Sequence, residues 1–350
     1  MHRVVLEIVT YFVIFMVNFR YVVCDVTNMP SLPVTIIITL LLLLTVNFRA
    51  VPRALMLISI VLGFSLMKNS SALAIIDFFL LGFLLRRIPN LNRVMAANLL
   101  IMLGFVSGLF FLNQIGIISE VTWQKNGTIA HTLGFHNPNT CALYLYAIIV
   151  GLYYFSPNGT YGVIYKIVLV ILSWMTYEYT LSRTCILGLV FMIICDVIFR
   201  IRVFGTKFII YSIPLFLMSL SFYFFVNYAD FGVLDVLLSG RLSYIGRGLA
   251  DIGVIDWIAG FQWREDIPVD SAYATMLSAC GFLGIAIHFF YYIKYVGNVQ
   301  YSMANTAMIV SILLAGLTEY VFVGLNMVSI ILLILILKRR GNLIYHPSRL

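Results

Sequence analysis

Arg183 and Arg241 are the residues of this sequence best suited to chemistry on an anion. Arg183 lies in Leu181-Ser182-Arg183-Thr184, a short polar break between two apolar runs. Ser182 suits the N-cap of the following helix, which predicts Arg183 in the first helical turn. The helix dipole opposes a cation there, while the free N–H groups of a helix start favour an anion. A phosphate beside Arg183 satisfies both, and so does pairing with Glu178 or snorkelling to the membrane surface.

Arg241 and Arg247 share the stretch Leu238-Ser239-Gly240-Arg241-Leu242-Ser243-Tyr244-Ile245-Gly246-Arg247-Gly248-Leu249-Ala250-Asp251-Ile252. Leu242, Ile245, Leu249 and Ile252 recur at helical spacing, and Arg241 borders the face they form. Arg247 falls on the far side, one turn before Asp251, where an i,i+4 ion pair fits as well as a ligand contact. Arg264 is the third arginine of the same polar segment. His136 precedes an apolar run in Phe135-His136-Asn137-Pro138-Asn139-Thr140. Asn-Pro predicts a turn, with Asn139 or Thr140 capping the next helix. An imidazole at that place can accept a hydroxyl proton or bind a phosphate, with Asn137 and Asn139 beside it for polar substrate groups. Four acids, Asp77, Glu178, Asp270 and Glu319, lie within or at the ends of apolar runs, where carboxylates are rare and costly. Each is a candidate general base or a partner of Arg183 or Arg241.

The elements that must position these residues follow from composition. Of 350 residues, 62% are hydrophobic and only 10% charged. Soluble domains carry about 25% charged residues, and no soluble fold of this length hides so much apolar surface. This excludes a secreted or cytosolic enzyme and a disordered scaffold. Apolar runs at about 4–19, 33–47, 54–67, 71–85, 95–113, 139–155, 163–180, 184–199, 208–226, 271–293, 303–323 and 325–337 predict an all-α integral membrane protein. About twelve transmembrane helices are expected, with ten or eleven if the short runs do not cross, in a single polytopic domain over 1–350. The first run has no small-residue cleavage site after it and reads as a retained span.

Placing both termini in the cytoplasm puts fifteen of the 22 lysines and arginines inside and seven outside, as the positive-inside rule requires. The net charge of +8 therefore reports topology, not nucleic-acid binding. Two long segments fall outside, at about 114–138 and 227–269, and all four span acids lie in the outer half. The longer segment is expected to carry short helices. The five cysteines stand singly and suit apolar packing. No metal-ligand or cofactor motif is present, so neither metal nor cofactor is expected.

The order of these motifs resembles a known family. Gly134-Phe135-His136-Asn137-Pro138-Asn139 stands before one run and Ser182-Arg183-Thr184 at the start of another. A long segment follows with Ser239-Gly240-Arg241 and Gly260-Phe261, and Val269-Asp270-Ser271-Ala272-Tyr273 then leads into a run with Cys280-Gly281-Phe282. The pattern is similar to the bacterial Wzy-type polysaccharide repeat-unit polymerases, within the O-antigen polymerase/ligase superfamily. One departure is the stretch near Gly260, where the family often carries Gly-x-Gly and this chain has Gly260 alone.

The resemblance implies a metal-independent glycosyltransferase acting on oligosaccharide repeat units linked through pyrophosphate to undecaprenol. The growing glycan passes to a sugar hydroxyl on the next unit at the outer face of the cytoplasmic membrane. Membrane lipid, a flippase and a chain-length regulator are the implied partners. Arg241, Arg183, His136 and Asp270 are the implied catalytic set. Asn137, Asn139, Arg247, Arg264, Glu178, Glu319 and Tyr273 are implied in substrate binding, and Trp257 and Trp263 can stack on sugars. A ligase of the same superfamily shares these motifs. A flippase for lipid-linked sugars is the alternative from another class.

Overall fold

Most of the apolar runs become helices. The structure, a computed structural model, describes residues 2–45, 71–125, 127–157, 159–200, 206–238, 240–250, 252–263, 270–296 and 302–338. Helix α1, His2–Phe19, continues through a π-helical turn, Arg20–Cys24, and a last turn, Asp25–Thr27, that ends at Asn28 in the left-handed region. Then come α2 (Leu32–Thr45), α3 (Ser71–Arg86) and α4 (Leu91–Gln114). A small antiparallel hairpin, β1 (Trp123–Lys125) and β2 (Thr128–Ala130), pairs Trp123 with Ala130. The hairpin is a local exception to the all-α expectation. Its turn, with Gly127 at φ 79°, lets three residues on each strand close a ladder too short to need a core.

Helices α5 (Pro138–Tyr154), α6 (Thr160–Thr180), α7 (Thr184–Arg200) and α8 (Thr206–Val226) follow. The next segment holds a 3₁₀ turn, Tyr228–Phe231, and the short helices α9 (Gly232–Leu237), α10 (Arg241–Leu249) and α11 (Val254–Ala259). Helices α12 (Ala272–Val296), α13 (Met303–Ala315) and α14 (Met327–Leu337) complete the bundle. The run at 54–67 lies outside the described residues.

Among the described residues five helical stretches are long and apolar enough to cross a membrane: Arg3–Thr27, Leu91–Gln114, Thr160–Thr180, Phe208–Val226 and Ala272–Phe290. Leu32–Thr45, Thr184–Phe199, Met303–Ala315 and Met327–Leu337 are shorter apolar helices. Outward faces of α2, α4, α6 and α8 expose Leu44, Leu100, Ile167 and Phe216, surface that belongs in hydrocarbon rather than water. The chain is a membrane-embedded helical protein. At its centre α14 is buried along nearly its whole length and packs on α3, α4, α5 and α13. Helix α13 packs in turn on α7 and α8. At the α7–α13 contact the Tyr146 hydroxyl meets Ser311 at 2.9 Å, and Ser311 donates to the Gly188 carbonyl at 2.6 Å. A small residue is needed there, since a Cβ on Gly188 would sit 2.5 Å from the Tyr146 ring.

The run at 303–323 does not form one helix. It stops at Ala315, and residues 316–326 take an irregular path before the capping box of Asn326 and Ser329 starts α14. Irregular backbone inside a helical membrane protein is tolerated only where protein or a cavity lines it. This segment is stitched to the start of α12, whose Ala272 N–H donates to the carbonyls of Gly316 (2.9 Å) and Glu319 (3.2 Å).

Gly260 and Gly281 explain how the polar segment docks without a Gly-x-Gly. Gly281 breaks α12 with φ 59° and ψ −174°, and Gly260 has φ 96°. The two backbones meet there: Phe261 N–H donates to the Ser278 carbonyl at 2.7 Å. A Cβ on Gly281 would lie 2.2 Å from the Ile258 carbonyl oxygen. Gly281→Ala is therefore expected to destabilise the fold by about 2–4 kcal/mol, from left-handed strain and overpacking together. Gly104→Ala, with nothing within 4 Å of the added carbon, is the matched neutral change. Thermal midpoints of the two variants in detergent check this.

Candidate active site

Five separated segments converge on one cavity of about 490 Å³, lined by Asn139, Ser182, Arg183, Thr184, Arg241, Asp270 and Glu319 above an apolar floor that includes Phe191, Phe225 and Leu314. It lies within the range of about 300–1,000 Å³ usual for ligand sites. Arg241 is the hub. Its Nη2 lies 3.1 Å from Asp270 Oδ2 and 3.2 Å from Glu319 Oε1. The Thr184 hydroxyl donates to the same Glu319 oxygen at 2.7 Å. The Arg241 and Glu319 side chains are 17% and 7% exposed, while Asp270 is 47% exposed. Glu319 is thus buried and Arg241 partly so, and Asp270 forms the rim of the pair. Burial pushes the Glu319 carboxyl above its ordinary range; the Arg241 guanidinium and the Thr184 hydroxyl oppose the shift, and Asp270 adds to it.

The position of Arg241 follows from local sequence. Leu242, Ile245 and Leu249 are buried, so α10 lies on its apolar face with Arg241 at the edge, as its periodicity predicts. The helix start is held by Asp235, whose Oδ1 accepts the N–H groups of Leu242 (2.8 Å) and Ser243 (3.1 Å). Gly246 is not a flaw in this helix. A Cβ there would be 2.5 Å from the Phe225 carbonyl oxygen, so the glycine admits α10 against α8. Asp235→Ala removes the cap and is expected to cost about 0.5–2 kcal/mol. The thermal midpoint of the purified variant in detergent, set against the wild type, checks this.

Arg183 stands at the N-cap place rather than in the first turn of α7: its carbonyl accepts the Leu187 N–H at 3.0 Å. Ser182 is buried, and its own N–H is taken by the Thr180 hydroxyl at 3.2 Å, so the helix starts one residue later than expected. Arg183 is exposed at the cavity wall, beside the free N–H groups of the helix start.

The helix after His136 starts earlier than expected. Pro138, with no N–H to satisfy and φ already helical, takes the first position, and Asn137 caps it by accepting the Asn139 N–H at 2.8 Å. Asn137 is therefore a cap, and Asn139 reaches the cavity. His136 does not. Its backbone N–H donates to Asp25 Oδ2 at 2.8 Å, and its side chain lines a neighbouring cavity with Arg20, Asp25 and Tyr320.

Other expected residues also lie elsewhere. Tyr273 is buried, donates to the Leu313 carbonyl at 3.0 Å and lines an apolar cavity with Phe78 and His288. The first turn of α12, Ala272-Tyr273-Ala274-Thr275, is buried on all sides, so its rotation follows packing. Glu178 is exposed near the end of α6, and Arg247 is exposed on the solvent side of α10; neither lines the arginine cavity. Asp77 is buried within α3, away from that cavity. Arg264 lies outside the described residues, as does Asp251. Trp257 stacks on Phe282 at 5.6 Å, and Trp263 packs edge-on against Phe261 at 4.9 Å. Both tryptophans therefore anchor the polar segment.

Thr184 and Asp235 were not singled out from sequence. A hydroxyl at a helix start and an acid six residues before an arginine are too common to signal a role alone. Among the described residues no cluster of His, Cys, Asp or Glu could hold a metal ion. No family model, no curated protein and no solved structure matches this chain.

Proposed function

We propose that the protein polymerises oligosaccharide repeat units carried on undecaprenyl pyrophosphate, at the outer face of the cytoplasmic membrane. The observation that carries this reading is the convergence of Asn139, Arg183, Arg241, Asp270 and Glu319 on one cavity at one end of the bundle. The opposite end supports the orientation: Arg87 binds the Thr45 carbonyl at 2.6 Å, Lys166 pairs with Asp196 at 2.5 Å, and Lys338 lies 4.3 Å from the Tyr154 ring centre. Basic residues at that end suit the cytoplasmic side.

In the proposed reaction an acceptor hydroxyl oxygen attacks the anomeric carbon of the donor glycan. The bond from that carbon to the pyrophosphate oxygen breaks, and the lipid pyrophosphate leaves with the electron pair. Arg183 and Arg241 stabilise the charge that develops on it, being permanently protonated and able to bind phosphate through two N–H groups. The hydroxyl proton passes to a carboxylate. Glu319 suits this role because burial raises its affinity for a proton. A phosphate on Arg241 raises it further, by cancelling the cation that holds the carboxylate ionised.

The test is a gel of lipid-linked glycan from cells lacking the gene. Single repeat units in the knockout, and a ladder restored by the wild-type gene, are expected. A full ladder on the carrier in the knockout overturns polymerisation. Ligation then leads, or a flippase where single units stay on the cytoplasmic face.

A further inference from the structure

A second cavity, of about 710 Å³, opens beside the first, lined by Arg20, Tyr21, Asp25, Asn28, Ser31, Thr35, His136, Thr140 and Tyr320 among others. The two cavities take alternate residues of the same segments. Asn139 lines the first and Thr140 the second; Glu319 lines the first and Tyr320 the second. One residue's thickness of chain divides them at two places. A transfer reaction needs its two reacting atoms about 3–3.5 Å apart, so donor and acceptor would have to meet over the edge of that wall and not through it.

The chemistry of the two walls differs. The first offers Arg183 and Arg241 to an anion. In the second, Arg20 is the one arginine among the lining residues, and Asp25 stands in the same wall. Two of the Arg20 donors are spent within the protein: Nη1 reaches the Thr35 hydroxyl at 3.0 Å, and Nη2 bonds the Leu325 carbonyl. The remaining donors, the free oxygen of Asp25, the Asn28 amide and the phenols of Tyr21 and Tyr320 form a mixed set of donors and acceptors. Alternating donors and acceptors beside aromatic rings match the hydroxyls and C–H faces of a neutral sugar, not a phosphate. The π-helical turn Arg20–Cys24 and left-handed Asn28 build this wall, and π-turns recur where function needs a side chain re-aimed.

We infer that this second cavity is the acceptor subsite, binding the non-reducing end of the incoming oligosaccharide through Arg20, Asp25 and Asn28. The inference rests on the polymerase reading for the identity of the glycan. It adds a distinct site and distinct residues, with His136 placed on the acceptor side rather than beside the departing pyrophosphate.

Two probes separate the sites in purified full-length protein in lipid nanodiscs. One is undecaprenyl pyrophosphate without sugar. The other is the free oligosaccharide released by mild acid from the lipid-linked units of the knockout cells, which carries no phosphate. Asp25→Asn keeps an acceptor for the His136 N–H, and Arg20→Lys keeps the charge. Each should weaken oligosaccharide binding about tenfold or more and leave undecaprenyl pyrophosphate binding unchanged. Arg183→Ala should do the reverse, and each variant's retained ligand shows that it is folded. Should the oligosaccharide not bind, or should Arg183→Ala weaken it while Asp25→Asn and Arg20→Lys do not, the acceptor subsite is refuted. Should undecaprenyl pyrophosphate fail to bind while the oligosaccharide pattern holds, the polymerase reading fails and the sugar site stands.

Discussion

Arg241→Ala is expected to remove the polymer ladder and leave the protein folded in the membrane. The loss follows from position: Arg241 carries both cavity carboxylates on one nitrogen, Nη2. Among the described residues its Nη1 and Nε have no protein partner and are available to a phosphate. Removing one preorganised donor to a developing oxyanion commonly costs about 10²–10³ in rate. A permanently charged, bidentate donor at a leaving pyrophosphate is expected to cost at least that much. Retention of the fold is less obvious, because deleting one partner of a buried ion pair can cost about 3–5 kcal/mol. Glu319 has an escape. Burial raises its affinity for a proton, and Arg241 is the main influence against that, so without the arginine the carboxyl protonates more readily and the unpaired charge is relieved. The Thr184 hydroxyl at 2.7 Å still provides a hydrogen bond.

That argument yields a second arm. In the Arg241→Ala background, Glu319→Gln should change the thermal midpoint less than it does with Arg241 present, since a neutral amide then replaces a carboxyl that has lost its cation. Arg241→Lys should restore the fold but little polymer, because an ammonium does not reproduce the fork of donors. A near-complete ladder from Arg241→Ala, at wild-type protein level, would remove this residue from the site and the cavity from the mechanism.

How far the sequence could be read differs by element, for reasons the helices make plain. Residues 241–249 were legible in detail because α10 is amphipathic: Leu242, Ile245 and Leu249 are buried, and Arg241 and Arg247 fall on the sides their spacing assigns. Helix bounds were legible to within a few residues in α1, α5, α6, α7 and α8, where polar residues punctuate apolar runs. Rotation about the axis was not. Tyr273 is the second residue of α12, yet every face of that turn is buried, and neighbours decide which side faces the cavity. The break after Ala315 was hidden for a related reason. Leu317, Tyr320, Val321 and Phe322 keep the run apolar, and the irregular path depends on hydrogen bonds from α12 that no local pattern encodes. His136 missed the arginine cavity because Asp25, 111 residues away, takes its backbone N–H. Arg20 was counted only as an outer charge. Its place beside Thr35 and Leu325 joins chain segments that are remote in sequence.

Glu319→Gln tests the other half of the proposed chemistry, and pH separates a base from a strut. The substitution keeps the side chain's shape and an oxygen for Thr184 and Arg241, so the cavity wall should persist. Removing a general base is expected to cost about 10²–10⁴ in rate. The sign of the pH dependence follows from the shift. A base works in its ionised form, so the wild-type rate should be low below the carboxyl's pKa and rise as pH passes through it. An ordinary glutamate titrates near about 4.3; burial raises Glu319, so the rise should fall at higher pH than that. Bound pyrophosphate drawing on Arg241 should move it higher still under saturating donor. In Glu319→Gln the residual rate should lose this limb. Asp270→Asn should behave differently: its carboxylate is half exposed at the rim, where solvent weakens its hold on Arg241, so a loss of less than about tenfold with the pH limb intact is expected. The measurement is the initial rate of ladder formation in membranes across pH for the three proteins. If Asp270→Asn loses the limb and Glu319→Gln keeps it, the base is the rim carboxylate, and Glu319 serves only to hold Arg241 against Thr184.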